Sequence, residues 1–257
     1  MQKIFIKNRK DQRIAVLVDK TEGQKGLVFV MHGLGGFKEQ PHLQTIGSAF
    51  KEKGFTVVYF DTTNTFGESD GNYEDATTTN YYEDLEDVIN WAKTQAWYQE
   101  PFVLEGHSLG GICTALYAEK YPQKVLALAP ISTVVSGRLS METEKHRSID
   151  QEWQRTGWRV TESYGGRTKK LKWSHMEDRL KYDLLPEISH LTMPVLLIVG
   201  EKDDSTPVDQ QRMLFAALPV GKKGIHIIKG APHTFRDSQH LQEIKEILNR
   251  WIDSFQK

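Results

Sequence analysis

The chain has 257 residues, 39% of them hydrophobic, which suits one large domain burying roughly three quarters of its unfolded surface. A formal net charge of −1 gives no electrostatic reason to bind nucleic acid or an anionic membrane. Cys113 is the only cysteine, so an internal disulfide is excluded, and the lone thiol suits a reducing compartment or a helix packing position.

Met1–Lys10 scatters charges among Ile4, Phe5 and Ile6, with no apolar run of secretion-signal length. No run anywhere reaches the roughly eighteen apolar residues of a membrane span, so a cytoplasmic protein without membrane insertion is expected. Lys3–Lys7 and Gln12–Asp19 read as a hairpin around the polar turn Asn8–Asp11. Gly26–Met31 and Phe55–Phe60 are near-continuous apolar runs, the pattern of strands covered on both faces. A helix over His42–Lys53 lies between them, and Gly54 stops it.

After the polar loop Asp61–Thr79, the positions Tyr82, Leu85, Val88, Ile89 and Ala92 mark one helix face. Phe102–Leu104 is a further strand; Leu109, Ile112, Cys113, Leu116 and Tyr117 form the buried face of the helix behind it. Lys124–Ala129, Pro194–Gly200 and Gly224–Ile228 complete eight strands, with helices over Val208–Leu218 and from Leu241 to Ile252. This alternation predicts an α/β domain over 1–257, with a mostly parallel sheet between two helical layers.

The rhythm breaks between Ser132 and Leu191, which hold no strand-like run. A structureless loop of that length is improbable in a compact domain. The sequence predicts a helical insertion, about 132–191, across the carboxyl edge of the sheet. Trp153, Trp158 and Trp173 within it either pack the insertion onto the body or line a pocket, and the basic run Arg167–Lys172 reads as a solvated face.

Chemistry concentrates at Gly106-His107-Ser108-Leu109-Gly110, where a buried strand must reverse into a helix within a few residues. Such a turn forces its serine into a sparsely populated backbone conformation and holds the hydroxyl out over a helix N-terminus. A serine hydroxyl needs a base within hydrogen-bond reach, itself oriented by a third group. Asp203 and Asp204, just past the Pro194–Gly200 strand, are the two candidate acids. His233, in the loop after the last strand, is the candidate base, because His226 sits inside a strand and His240 opens a helix. His107 is read as structural. A histidine base predicts a kcat/KM that rises through about pH 6–7. The loop His32-Gly33-Leu34-Gly35-Gly36 fails as a dinucleotide fingerprint, since Lys38 stands where its third glycine belongs. No residue cluster has metal-ligand spacing, and no cofactor is expected.

Taken together, Gly-x-Ser-x-Gly at 106–110, Gly200-x-x-Asp203-x-x-x-Pro207 and Gly230-x-x-His233 resemble the α/β-hydrolases over the whole chain. Gly67-Glu-Ser-Asp-Gly71 adds a likeness to bacterial carboxylesterases of the feruloyl (cinnamoyl) esterase type, with the monoglyceride-lipase and serine-aminopeptidase groups nearly as close. The resemblance implies acyl transfer to water with Ser108 as nucleophile, His233 as base and Asp203 as its orienting acid. It also implies an oxyanion hole from the Leu34 and Leu109 amides. A small-molecule ester with a small-to-medium or aromatic acyl group is the expected substrate, with thioesters and peptides second and a non-catalytic binding module of the same fold third, and the oligomeric state stays open.

Overall fold

The computed structural model describes residues 1–147, 149–162, 166 and 168–256. In chain order the elements are β1 (Gln2–Lys7), β2 (Arg13–Asp19), β3 (Gly26–Met31), α1 (Pro41–Glu52), β4 (Phe55–Phe60), α2 (Thr78–Ala92), β5 (Phe102–His107), α3 (Leu109–Lys120) and β6 (Val125–Ile131). They continue with α4 (Gly137–Met141), α5 (Glu144–Arg147), α6 (Asp150–Thr156), β7 (Trp158–Glu162), β8 (Thr168–Lys172) and α7 (Ser174–Arg179). The last are β9 (Val195–Gly200), α8 (Val208–Ala217), β10 (Lys223–Ile228) and α9 (Ser238–Phe255).

Eight strands form one sheet in the order β1-β2-β4-β3-β5-β6-β9-β10. Only β2 runs against its neighbours in it; the rest are mutually parallel. The near-continuous apolar runs follow from this placement: every residue of β3, β4, β5 and β9 is buried. On one face Leu85 and Val88 of α2 and Ile112 of α3 pack against Phe29, Leu104 and Leu128. On the other, Ile46 of α1 and Ile244 and Ile247 of α9 cover Val30, Val103 and Ile198. Helix starts obey local chemistry: Thr77 Oγ1 accepts from the Asn80 amide at 3.1 Å, Asp237 Oδ1 from the Gln239 amide at 2.8 Å, and Pro41 opens α1.

The insertion between β6 and β9 contains the expected helices, α4 to α7, but differs from expectation in also carrying the antiparallel hairpin β7–β8. The strand signal is absent from the sequence because Trp158 and Val160 on its outer face meet solvent. Its inner face alternates Arg159, Thr161, Lys169 and Leu171 in place of a run of hydrophobes. The basic run is therefore split. Lys170 is exposed, Lys172 pairs with Asp75, Leu171 is buried, and Arg167 lies outside the described residues. The insertion is pinned to α2 through Asp178, whose carboxylate accepts from the Thr79 amide at 2.8 Å and the Thr79 hydroxyl at 2.6 Å.

One core position runs against the pattern. Glu105, in the middle of β5, is fully buried, and among the described residues neither carboxylate oxygen has a hydrogen-bond partner. Burial pushes its pKa well above the ordinary 4.5. The folded protein thus keeps a proton that the unfolded chain releases, so stability falls as pH rises above about 4.5. Glu105→Met is expected to stabilise the protein by about 1–3 kcal/mol at pH 8 and by less at pH 5. Thermal melts at the two pH values check this; equal gains at both would contradict it.

Candidate active site

The turn between β5 and α3 has the strain its sequence implied. Ser108 sits at φ 56° and ψ −114°, a region costly for a residue with a Cβ, by about 1–3 kcal/mol. Both flanking glycines are needed for close approach. A Cβ on Gly106 would lie 2.3 Å from the Gly110 carbonyl oxygen, and one on Gly110 would lie 2.5 Å from that of His32. The second contact presses the start of α3 onto the loop after β3. There the His32 ring, fully buried, accepts from the Thr62 amide through Nε2 at 3.0 Å, which leaves Nδ1–H to donate to the Gly33 carbonyl at 2.7 Å. Burial lowers the His32 pKa, so the ring braces this loop as a neutral group.

The same loop is held by an ion cluster around a buried lysine. The Lys38 side chain is wholly buried and its ammonium lies 2.8 Å from Asp61 and 2.8 Å from Glu68. The Lys38 amide also donates to Asp61 at 2.7 Å. Glu68 and Ser69 belong to the Gly67–Gly71 segment, so that segment's part in the structure is to brace the loop carrying Leu34. Sequence reading recognised the segment only as a likeness and missed Lys38, whose partners lie 23 and 30 residues away.

Asp203, His233 and Ser108 come together in one hydrogen-bonded chain. His233 Nε2 lies 2.9 Å from Ser108 Oγ, and Nδ1 lies 2.9 and 3.0 Å from the two oxygens of Asp203. The residues stand 125 and 30 apart in sequence and follow β5, β9 and β10, so the sheet alone assembles them. Asp203 Oδ1 also accepts from the amides of Ser205 at 2.9 Å and Thr206 at 2.8 Å. Burial pushes the Asp203 carboxyl up, but bonds and charge from His233, with bonds from Thr206, outweigh it and hold the pKa at about 2. The rival acid turns away: Asp204 pairs with Lys145 of the insertion at 2.9 Å and does not reach His233.

His107 is more than filler. Its Nε2–H donates to the backbone carbonyl of His233 at 2.9 Å, tying the serine turn to the histidine loop. Burial lowers its pKa to about 3 and keeps the ring neutral. Nothing in its sequence neighbourhood signals that partner, 126 residues away. The Leu34 and Leu109 amides flank Ser108 from the loop after β3 and the first turn of α3, and among the described residues neither amide has a protein acceptor.

These groups open into a cavity of about 160 Å³ roofed by the insertion. Leu34, Val134, Trp153 and Met176 form its apolar wall. Of the three tryptophans only Trp153 reaches it; Trp173 packs edge-on against Trp153 at 5.5 Å and Trp158 is partly exposed.

Residues 22–178 match the family model described as serine aminopeptidase, S33. The chain belongs to the S33 hydrolase family. The match takes in the loop after β3 and the Ser108 turn, while Asp203 and His233 lie beyond it. Among curated relatives, the mouse (Mus musculus) palmitoyl-protein thioesterase ABHD10, mitochondrial, is 26% identical over 242 residues, covering 89% of this chain and 75% of that protein. An uncharacterized 31.7 kDa Escherichia coli protein from the traX-finO intergenic region is 25% identical over 259 residues, covering 88% and 90%. The fold of this S33 hydrolase is that of Est1E from Butyrivibrio proteoclasticus, solved with ferulic acid bound, at TM-score 0.81, 20% identity and 98% coverage of both chains. Mouse alpha/beta hydrolase domain-containing protein 10 superposes at TM-score 0.81 with 19% identity and 99% coverage of both. This S33 hydrolase is thus an α/β-hydrolase throughout. No helix among its described residues is long and apolar enough to cross a membrane.

Proposed function

We propose that this protein is a serine carboxylesterase that cleaves small-molecule esters through an acyl-enzyme on Ser108. The observation that carries the reading is the unbroken Asp203–His233–Ser108 chain at the floor of a cavity, with the Leu34 and Leu109 amides beside it. Ser108 Oγ attacks the ester carbonyl carbon as His233 Nε2 takes its proton. Asp203 holds Nδ1–H and stabilises the imidazolium that forms. The two amides receive the oxyanion; losing one such donor costs roughly 2.7–4 kcal/mol of transition-state stabilisation. His233 then protonates the leaving alcohol, and water repeats the sequence on the acyl-enzyme.

A thioester substrate is the second reading, supported by the name of the mouse relative. The charged side chains among the cavity lining oppose a long aliphatic chain there. Cytoplasmic location belongs to the same proposal, supported by the single buried cysteine, although the mouse relative is described as mitochondrial. A panel of p-nitrophenyl esters of graded acyl length, set beside methyl hydroxycinnamates, thioesters and amides, tests it. Turnover of short or aromatic esters is expected; cleavage of amides alone would overturn the esterase reading.

The acid limb of the pH profile is expected to follow a single proton. Asp203 stays ionised with its pKa at about 2, and His107 stays neutral with its own at about 3. Burial likewise lowers His32 and His42. A log(kcat/KM) slope of two between pH 5 and 7 would contradict this assignment.

A further inference from the structure

An arginine is almost never fully buried without a carboxylate beside it. Arg179, the last residue of α7, is only 6% exposed and lines the cavity that holds Ser108. Its Nη2 donates to His175 Nε2 at 2.8 Å, while His175 Nδ1–H donates to the Ala76 carbonyl at 2.8 Å. Burial and the neighbouring Arg179 keep His175 neutral, so this contact supplies orientation but no countercharge. Arg179 Nε has no partner among the described residues.

A second guanidinium lines the same cavity. Arg159 of β7 lies over the Trp153 ring, 5.6 Å from its centroid, and its Nε is likewise buried without a partner among the described residues. Burial, then the positive charge of Arg159, lowers the Arg179 pKa to about 10. Among the described residues no carboxylate is within ion-pair distance of either. Asp150 feels both charges, yet both its oxygens lack hydrogen-bond partners, and burial raises its pKa. It does not line the cavity. The third cation there, Lys145, is already paired with Asp204.

Resting on the serine-hydrolase reading above, we propose that Arg179 and Arg159 form a binding site for a carboxylate on the substrate. The ester cleaved at Ser108 carries an anionic group, as in a half-ester of a short dicarboxylic acid or an acyl ester of a hydroxy acid. A guanidinium fork matches the two oxygens of a carboxylate, and the water-poor wall of Trp153 and Met176 strengthens the pairing. The carboxylate completes the open donors of both arginines, and the site thereby selects against neutral esters.

Matched substrates test this. On the acyl side, p-nitrophenyl hemiglutarate is compared with p-nitrophenyl valerate, in which a methyl replaces the carboxylate. On the alcohol side, 3-carboxyphenyl butyrate is compared with phenyl butyrate. Wild type is expected to favour the anionic member of at least one pair by about tenfold or more in kcat/KM. Arg179→Gln is expected to lower that anionic-to-neutral ratio by at least about 30-fold, Arg159→Gln by less, and Arg179→Lys to keep part of it. Neutral preference in both pairs, or an unchanged ratio in all three variants, would overturn the proposal. Should Arg179→Gln fail to fold, Arg179→Lys and Arg159→Gln carry the test. Calorimetric titration of glutarate into Ser108→Ala, with and without Arg179→Lys, reads the site without catalysis: saturable binding weakened by the second substitution is expected, and no binding opposes the site. Fluorophosphonate labelling of wild type separates the two ideas. A labelled protein with no anionic preference and no glutarate binding loses only the carboxylate site. An unlabelled protein that binds glutarate loses only the hydrolase reading.

Discussion

Ser108→Ala is expected to reduce kcat/KM on any ester substrate by at least about 10⁴-fold and to abolish fluorophosphonate labelling. The size of the effect follows from the geometry. Ser108 Oγ is the atom 2.9 Å from His233 Nε2, and without it the base has only water to activate. The fold should survive, because the substitution leaves the backbone at φ 56° and removes one polar atom that is not wholly enclosed. A labelled or active Ser108→Ala protein would place the nucleophile elsewhere and end the triad assignment.

The second large effect separates two adjacent residues. Asp203→Asn is expected to lower kcat by about 10⁴-fold, because an amide in place of the carboxylate favours the wrong histidine tautomer. It also removes the charge that stabilises the imidazolium. Asp204→Asn breaks an exposed pair with Lys145 and should cost less than about threefold in kcat/KM. Steady-state kinetics of the two variants on one ester decides the matter, and near-normal turnover by Asp203→Asn would refute the acid assignment. The two carboxylates are neighbours in sequence, but only one accepts from the amides of Ser205 and Thr206 and faces His233.

The parts of this protein that a one-dimensional reading reaches are those set by local rules. β3, β4, β5 and β9 are visible because burial on both faces forces continuous apolar runs. The serine turn is visible because backbone crowding demands glycine at 106 and 110. What stays hidden depends on partners distant in the chain. Lys38 shows in the sequence only as the residue that breaks a dinucleotide fingerprint, because its partners Asp61 and Glu68 are distant in the chain. His107 reads as a neighbour of the serine until the His233 carbonyl is placed over it. Arg159 and Arg179 are two among many charges of the insertion, and only the folded cavity shows that, among the described residues, no carboxylate lies within ion-pair distance of them. The hairpin β7–β8 escapes notice because Trp158 and Val160 face solvent while Arg159, Thr161 and Lys169 share the other face with Leu171, so no run of hydrophobes marks a buried side.

The hydrogen bond from His107 to the His233 carbonyl joins segments made far apart in time during synthesis. The turn holding Ser108 follows β5, whereas Asp203 and His233 follow β9 and β10, the last strands to be made. Until those strands are present, the Ser108 hydroxyl has no histidine partner. Docking of β10 against β9 delivers His233 to both Ser108 and His107 at once, so the Asp203–His233–Ser108 chain closes only when β9 and β10 are both in place. If the esterase reading holds, ester turnover is expected only once β10 has joined the sheet.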